Sequence, residues 1–203
     1  MNQSPVTHLL YLHGFRSSPG SAKAQQVATA VQALQAAGRT IEWCCPQLPP
    51  SPAEAMGLVE RLTDDWPRDG RMAVIGSSLG GFYATVLAQR RPAIRAVLLN
   101  PAVNPARDLA GQIGELSAWH EPELKFSFTA AHVAELRALA PATVSSPQRY
   151  AAVIAKGDEV LDWREMVGRY PGAHIRLLEG NDHAISDFGE RHLPFVMDFL
   201  GLD

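Results

Sequence analysis

The chain has 203 residues, of which 46% are hydrophobic and 19% charged, with a formal net charge of −3. That length suits one domain, expected over 1–203, which can bury roughly 70% of its unfolded surface without a disulfide or metal staple. The charge balance excludes a nucleic-acid binder held by a basic field, and the apolar content excludes a disordered chain. No apolar run approaches the roughly 20 residues of a membrane span. The opening MNQSPVTHLL lacks the basic segment of a secretory leader. The expectation is a cytoplasmic protein with no membrane or nucleic-acid partner; the composition leaves its oligomeric state open.

Taken in chain order, strand and helix patterns alternate. Strand runs fall at 6–12, 40–45, 72–75, 94–99, 150–155 and 174–178, mostly apolar at consecutive positions. Parallel strands covered on both faces read this way. After the first strand, Val27, Ala30, Val31 and Leu34 lie at i, i+3, i+4, i+7 of a helix over 22–37, which Gly38 stops. The second strand holds Cys44 and Cys45, whose adjacency disfavours a bridge and which lack further metal ligands nearby; they read as small strand residues. Ser51-Pro52-Ala53-Glu54 then opens a helix, with Ser51 as cap, Pro52 at the first helical position and Glu54 able to complete a capping box. Further helices are expected at 81–90, 130–139, 162–167 and 193–200. This alternation predicts an open, doubly wound parallel sheet of about six strands with helices on both faces. One stretch breaks the pattern. Residues 102–146 hold some 45 residues where about 15 would make a crossover. They form either a lid or binding loop or an extra helix pair on the domain edge.

The chemistry concentrates in MAVIGSSLGGFYATVLAQRR, where an apolar strand runs into Gly76-Ser77-Ser78-Leu79-Gly80 and then a helix. This is the Gly-X-Ser-X-Gly nucleophile elbow in its strand–turn–helix setting. The sharp turn thrusts Ser78 above the sheet and leaves no room for side chains at positions 76 and 80. The following helix aims its free N–H groups at any developing oxyanion. Without that chemistry, the segment would be a Gly/Ser-rich turn between strand and helix.

A serine hydroxyl needs a base, and the base a third group to orient it, here in the chain order Ser, acid, His. His183 follows the last strand on a loop at its carboxyl end. The other histidines lie in strands (His8, His174), in the insertion (His120, His132), at the final helix (His192), or before the serine (His13). The acid should follow the preceding strand, where Asp158 lies just past Gly157. Glu159 and Asp162 are rivals, although Asp162 is better suited to capping the next helix. Asp182, beside the histidine, is a poor orienter for its own neighbour. After the first strand, His13-Gly14-Phe15-Arg16 lets the Phe15 N–H face the same oxygen as the Leu79 N–H. His13 reads as a packing residue of this loop. Arg16 is either solvated or leans over the pocket to meet an anionic part of a substrate. Trp119, Phe126 and Phe128 of the insertion complete the expected substrate-binding set; no metal or cofactor is required.

The strings LLYLHGFRSSPGSAKA, PQLPPSP, VIGSSLGGFYAT, LLNPAVNP, KGDEVLD and GNDHAI with the following DF resemble the small bacterial esterases of the YqiA/YcfP type. The likeness runs over about 9–202, with the insertion least alike; LHGFRSSP and Asn100-Pro101 make it more specific than the elbow alone. The resemblance implies an α/β-hydrolase fold, here a three-layer one with about six parallel strands in the order 2-1-3-4-5-6, and hydrolysis of carboxylic or thioester bonds. It implies Ser78 as nucleophile, His183 as base and an acid within KGDEVLD, where Asp158 matches the Gly-Asp-X-Val aspartate. The expected protein is therefore a serine esterase acting on a small acyl ester through an acyl-enzyme. The alternatives are an acyl-CoA thioesterase, which needs a basic patch at the mouth, and a non-catalytic ligand-binding protein on the same scaffold. By that resemblance a full sheet has eight strands. Six strands here imply loss of the first two and of any large cap, and hence a shallow, fairly open site.

Overall fold

Consecutive residues of a strand point to opposite faces, so a run such as Leu9-Leu10-Tyr11-Leu12 needs cover on both sides. A computed structural model describes residues 5–203 and provides that cover. Residues 1–4, where the expected leader-free start and the first part of the 1–203 domain fall, lie outside the described residues. β1 (His8–Leu12), α1 (Ala22–Ala36), β2 (Glu42–Cys44), α2 (Pro52–Leu62), β3 (Met72–Ser77), α3 (Leu79–Arg90) and β4 (Arg95–Leu99) alternate along the first half. An insertion follows: α4 (Pro105–Asp108), the strands β5 (Gly114–Ser117) and β6 (Lys125–Phe128), and α5 (Ala130–Leu139). Then come β7 (Tyr150–Ala155), α6 (Trp163–Arg169), β8 (His174–Leu178) and α7 (Leu193–Leu200).

The six-stranded sheet has the order β2-β1-β3-β4-β7-β8, every pair parallel. Counting only its own strands, this is the predicted 2-1-3-4-5-6. The period of two divides each strand between two cores. Leu10, Leu12, Val74, Leu98 and Ile154 pack with residues of α2, α3, α5 and α6. Leu9, Tyr11, Ile75, Val97 and Val153 pack with residues of α1 and α7. No helix among the described residues is long and apolar enough to cross a membrane.

The caps explain the helix boundaries. Gly38, at φ +90°, follows the Ala37 cap of α1. The Ser51 hydroxyl accepts the Glu54 N–H at 3.2 Å, as its position predicts, and itself donates to Glu135 Oε2 of α5 at 2.8 Å. That carboxylate also accepts the Ala53 N–H at 3.1 Å. A negative charge at a helix N-terminus is favourable, so Glu135 fastens the insertion to α2.

The insertion is neither of the two alternatives in pure form. It contains the expected helix at Ala130–Leu139, but β5 and β6 form an antiparallel hairpin that the alternation did not predict. Each strand has four residues, only half of them exposed. The one available signal was the Phe126/Phe128 alternation.

Candidate active site

Ser78 stands between β3 and α3 with φ 55° and ψ −119°, a conformation that costs a non-glycine residue about 1–3 kcal/mol. Its surroundings impose it. The Ser78 N–H donates to the Leu99 carbonyl of the neighbouring strand at 2.9 Å. The Ser78 carbonyl accepts from Gly81 at 2.9 Å and Ala102 at 3.0 Å. A Cβ at Gly76 would lie 2.2 Å from the Gly80 carbonyl oxygen, and one at Gly80 only 1.9 Å from that of Leu12. Both glycines are therefore required by close approach of backbones, as the elbow pattern predicts.

The loop after β8 brings His183 to this serine. His183 Nε2 lies 3.1 Å from Ser78 Oγ, and Nδ1 lies 2.7 Å from Asp158 Oδ2. The Asp158 side chain is 0% exposed and that of His183 22% exposed. The second carboxylate oxygen of Asp158 accepts the N–H groups of Val160 and Leu161, each at 2.8 Å. The carboxylate is thus held from both sides and orients the ring so that Nε2 faces the hydroxyl. The rivals do other things. Asp162 caps α6 by accepting the Arg164 N–H at 2.9 Å. Glu159 accepts the His183 backbone N–H at 3.0 Å. Asp182 accepts from the Ser186 hydroxyl at 2.6 Å, which holds its carboxyl below the usual range.

In the sequence Asn100 stands out only as half of an Asn-Pro pair. It is completely buried, with φ +41°. Its Nδ2 donates to the carbonyls of Asp182 and His183, each at 3.1 Å, and its Oδ1 accepts the Ala155 N–H at 2.8 Å. One side chain at the end of β4 therefore ties the histidine loop to the end of β7, just ahead of the Asp158 turn. No local pattern signals this, because its partners lie 55 and more than 80 residues away in sequence.

The N–H groups of Phe15 and Leu79 make no hydrogen bond among the described residues, and both residues border the cleft that holds Ser78 and His183. The loop carrying Phe15 is set by His13. Its Nδ1–H donates to the Gly14 carbonyl at 2.9 Å, and its Nε2 accepts the Leu48 N–H at 3.1 Å. Only the neutral ring makes both bonds, and burial lowers its pKa below 6.5. The unfolded chain then takes up the proton first as pH falls. The stability linked to His13 is complete above about pH 6.5 and declines as pH drops through 6.5 toward the lower native value. The urea midpoint should fall between pH 7 and pH 5, and His13→Gln should flatten that dependence. Equal slopes for the two proteins would remove His13 as its source.

Two partly open clefts meet at Phe15 and Arg16. One, of about 560 Å³, contains Ser78, His183, Leu109, Trp119 and Leu161. The other, of about 730 Å³, runs past Leu48, Tyr83 and Phe126, with Arg61 and Lys125 on its walls. Neither is a closed tunnel. Arg16 and Trp119 line the first cleft and Phe126 the second, but Phe128 departs from expectation. It is 1% exposed and packs edge-on against Phe15 at 5.0 Å. It shares the inward face of β6 with Phe126 but lies at the buried end of the strand, where it supports the Phe15 loop rather than touching a substrate. Among the described residues, no group of three or more His, Cys, Asp or Glu side chains is placed to hold a metal ion. Cys44 and Cys45 are free thiols, and burial raises that of Cys45 to about 12.

The family model described as Uncharacterised protein family (UPF0227) matches residues 8–201. The fold is that of the α/β-hydrolases. The chain is similar to a candidate hydrolase from Agrobacterium vitis S4 (17% identity, 96% of this chain and 88% of that one covered, TM-score 0.75). It is similar to mouse alpha/beta hydrolase domain-containing protein 10 (16% identity, 95% and 90% covered, TM-score 0.68). It is also similar to Est1E of Butyrivibrio proteoclasticus, solved with ferulic acid bound (15% identity, 97% and 87% covered, TM-score 0.66).

Proposed function

This chain belongs to the Uncharacterised protein family UPF0227, and from that premise and the site geometry we propose that it is a serine esterase hydrolysing small acyl esters. One observation carries the reading. Ser78 Oγ, His183 and the buried Asp158 side chain form a continuous hydrogen-bonded chain at 3.1 and 2.7 Å, in a cleft bordered by two backbone N–H groups that have no partner among the described residues. The His183 tautomer protonated at Nδ1 donates to Asp158 and leaves Nε2 free to take the serine proton.

Ser78 Oγ attacks the ester carbonyl while Nε2 accepts its proton. The tetrahedral oxyanion settles against the Phe15 and Leu79 N–H groups, where the negative charge develops. The protonated ring returns the proton to the alcohol oxygen as the C–O bond breaks, leaving Ser78 acylated. Water deprotonated by Nε2 then attacks the acyl carbon, and the acid leaves with Ser78 restored. A thioester would follow the same course with a thiol leaving. Arg61 and Lys125 on the adjoining cleft favour keeping that second reading, and esters and thioesters of matched acyl length separate the two.

A fluorophosphonate probe should modify the protein once, at Ser78, by mass spectrometry. Modification elsewhere, or none, would count against the reading and for a ligand-binding protein. Asn100 acts in this scheme as a positioning residue. Asn100→Ala removes the tie between the histidine loop and β7, and kcat should fall about 10–100-fold because small misplacements of reacting groups cost that much. KM for the same ester should change far less. A variant that loses affinity and keeps kcat would place Asn100 outside the positioning of His183.

A further inference from the structure

Arg16 is more than a member of the cleft wall. Its backbone is left-handed, at φ +60°, which few non-glycine residues adopt. Its Nε–H donates to the Ser117 carbonyl at 2.7 Å, and its guanidinium lies 3.9 Å over the Trp119 ring. The Trp119 N–H in turn donates to the Arg16 carbonyl at 2.8 Å. Planar stacking and a carbonyl bond together fix the fork, so little rotamer freedom remains to be lost on binding. Yet the two Nη groups, which supply four of its five donors, have no partner among the described residues.

The other charges of this cleft are already engaged. Lys23 Nζ donates to the Ala184 carbonyl at 2.5 Å and sits in the field of Asp182 and Asp158. Asp108 is paired with Arg107 at 2.7 Å. Arg16 thus keeps both Nη groups open in the cleft of Ser78 and makes no ion pair among the described residues, and it follows directly on Phe15, whose N–H the esterase scheme assigns to the oxyanion. A half-buried guanidinium held with its donors open is a receptor for a planar anion, which it binds by two parallel bonds.

We infer that the preferred substrates carry a carboxylate a few bonds from the scissile ester and that Arg16 selects them. This rests on the serine-esterase reading. The anion can belong to the acyl or to the alcohol side, since Arg16 stands where the two clefts meet. A merely structural Arg16, strapping the hairpin to the β1 loop through Trp119, would affect stability but not the choice between charged and neutral esters.

The test uses two matched pairs: 4-nitrophenyl hydrogen glutarate against 4-nitrophenyl pentanoate, and 3-(butanoyloxy)propanoate against propyl butanoate. In at least one pair the native protein should favour the anionic ester by tenfold or more in kcat/KM, and Arg16→Gln should bring that ratio to within threefold of unity. Arg16→Lys, which keeps charge without the planar fork, should fall between. A native ratio under threefold in both pairs, or one that survives Arg16→Gln, overturns the inference. Binding to Ser78→Ala by calorimetry reads the same preference without turnover. There the anionic ester should bind at least tenfold more tightly than its neutral partner, and the advantage should vanish in Ser78→Ala/Arg16→Gln. Equal affinities overturn the inference even if no tested ester is hydrolysed. Hydrolysis that persists in Ser78→Ala instead defeats the esterase reading itself.

Discussion

Replacing Ser78 with alanine should lower kcat for ester hydrolysis by roughly five to six orders of magnitude while leaving the fold intact. The size follows from the shared work of the triad. With no hydroxyl to activate, neither His183 nor Asp158 has a function, so one substitution removes nearly the whole triad contribution. What survives is whatever the N–H groups of Phe15 and Leu79 provide to direct attack by water. Stability should move little. Alanine inherits the same strained φ, and the side-chain hydrogen bond lost among the described residues is the one to His183 at 3.1 Å, worth about 1 kcal/mol at most in this partly exposed setting. The measurements are steady-state rates on a short-chain ester and a thermal melt. Near-native rates from a folded alanine variant would end the assignment.

Gly80→Ala should be the most destabilising single change of comparable size, by about 3–5 kcal/mol. Helix propensity alone predicts the opposite, since alanine is favoured over glycine within a helix by about 1 kcal/mol. The added Cβ, however, would lie 1.9 Å from the Leu12 carbonyl oxygen, 2.5 Å from its carbon and 2.7 Å from the His13 carbonyl oxygen. These are backbone atoms at the end of β1, which is hydrogen-bonded on both sides by β2 and β3 and cannot withdraw alone. Either the fold loosens or α3 lifts away from β1, carrying Leu79 and the Ser78 turn with it. Gly168→Ala is the matched control: its Cβ would meet nothing within 4 Å, and alanine should there be neutral or mildly stabilising. Denaturant titrations of both variants check the contrast. A Gly80→Ala midpoint equal to that of the native protein would contradict the close approach.

Asp158 and His183 were legible in the sequence because each follows a strand whose apolar run is unmistakable, and the elbow prescribes the chain order of the partners. The helix at Ala130–Leu139 was legible for the same reason, through its own periodicity. The β5–β6 hairpin was not: with four residues per strand and charged side chains facing solvent, its pattern does not rise above that of a loop. Asn100 was visible only as a motif letter, since its polar atoms are satisfied entirely by groups remote in sequence. Phe126 and Phe128 stand two positions apart with the same side chain, and neither letter says which one reaches the cleft.

By itself the sequence determined the order and identity of the sheet strands, the elbow at Ser78 and the candidates for its partners. Those features rest on short runs of consecutive apolar residues, glycine spacing and chain order, all local quantities. Tertiary structure alone decided that this 203-residue chain sends Phe128 into the core, hands the Asp162 carboxylate to a helix cap and leaves the Arg16 fork open in the cleft of Ser78. The physical reason is that burial and hydrogen-bond satisfaction are properties of what a side chain meets across the fold, and the sequence records only what stands next to it along the chain.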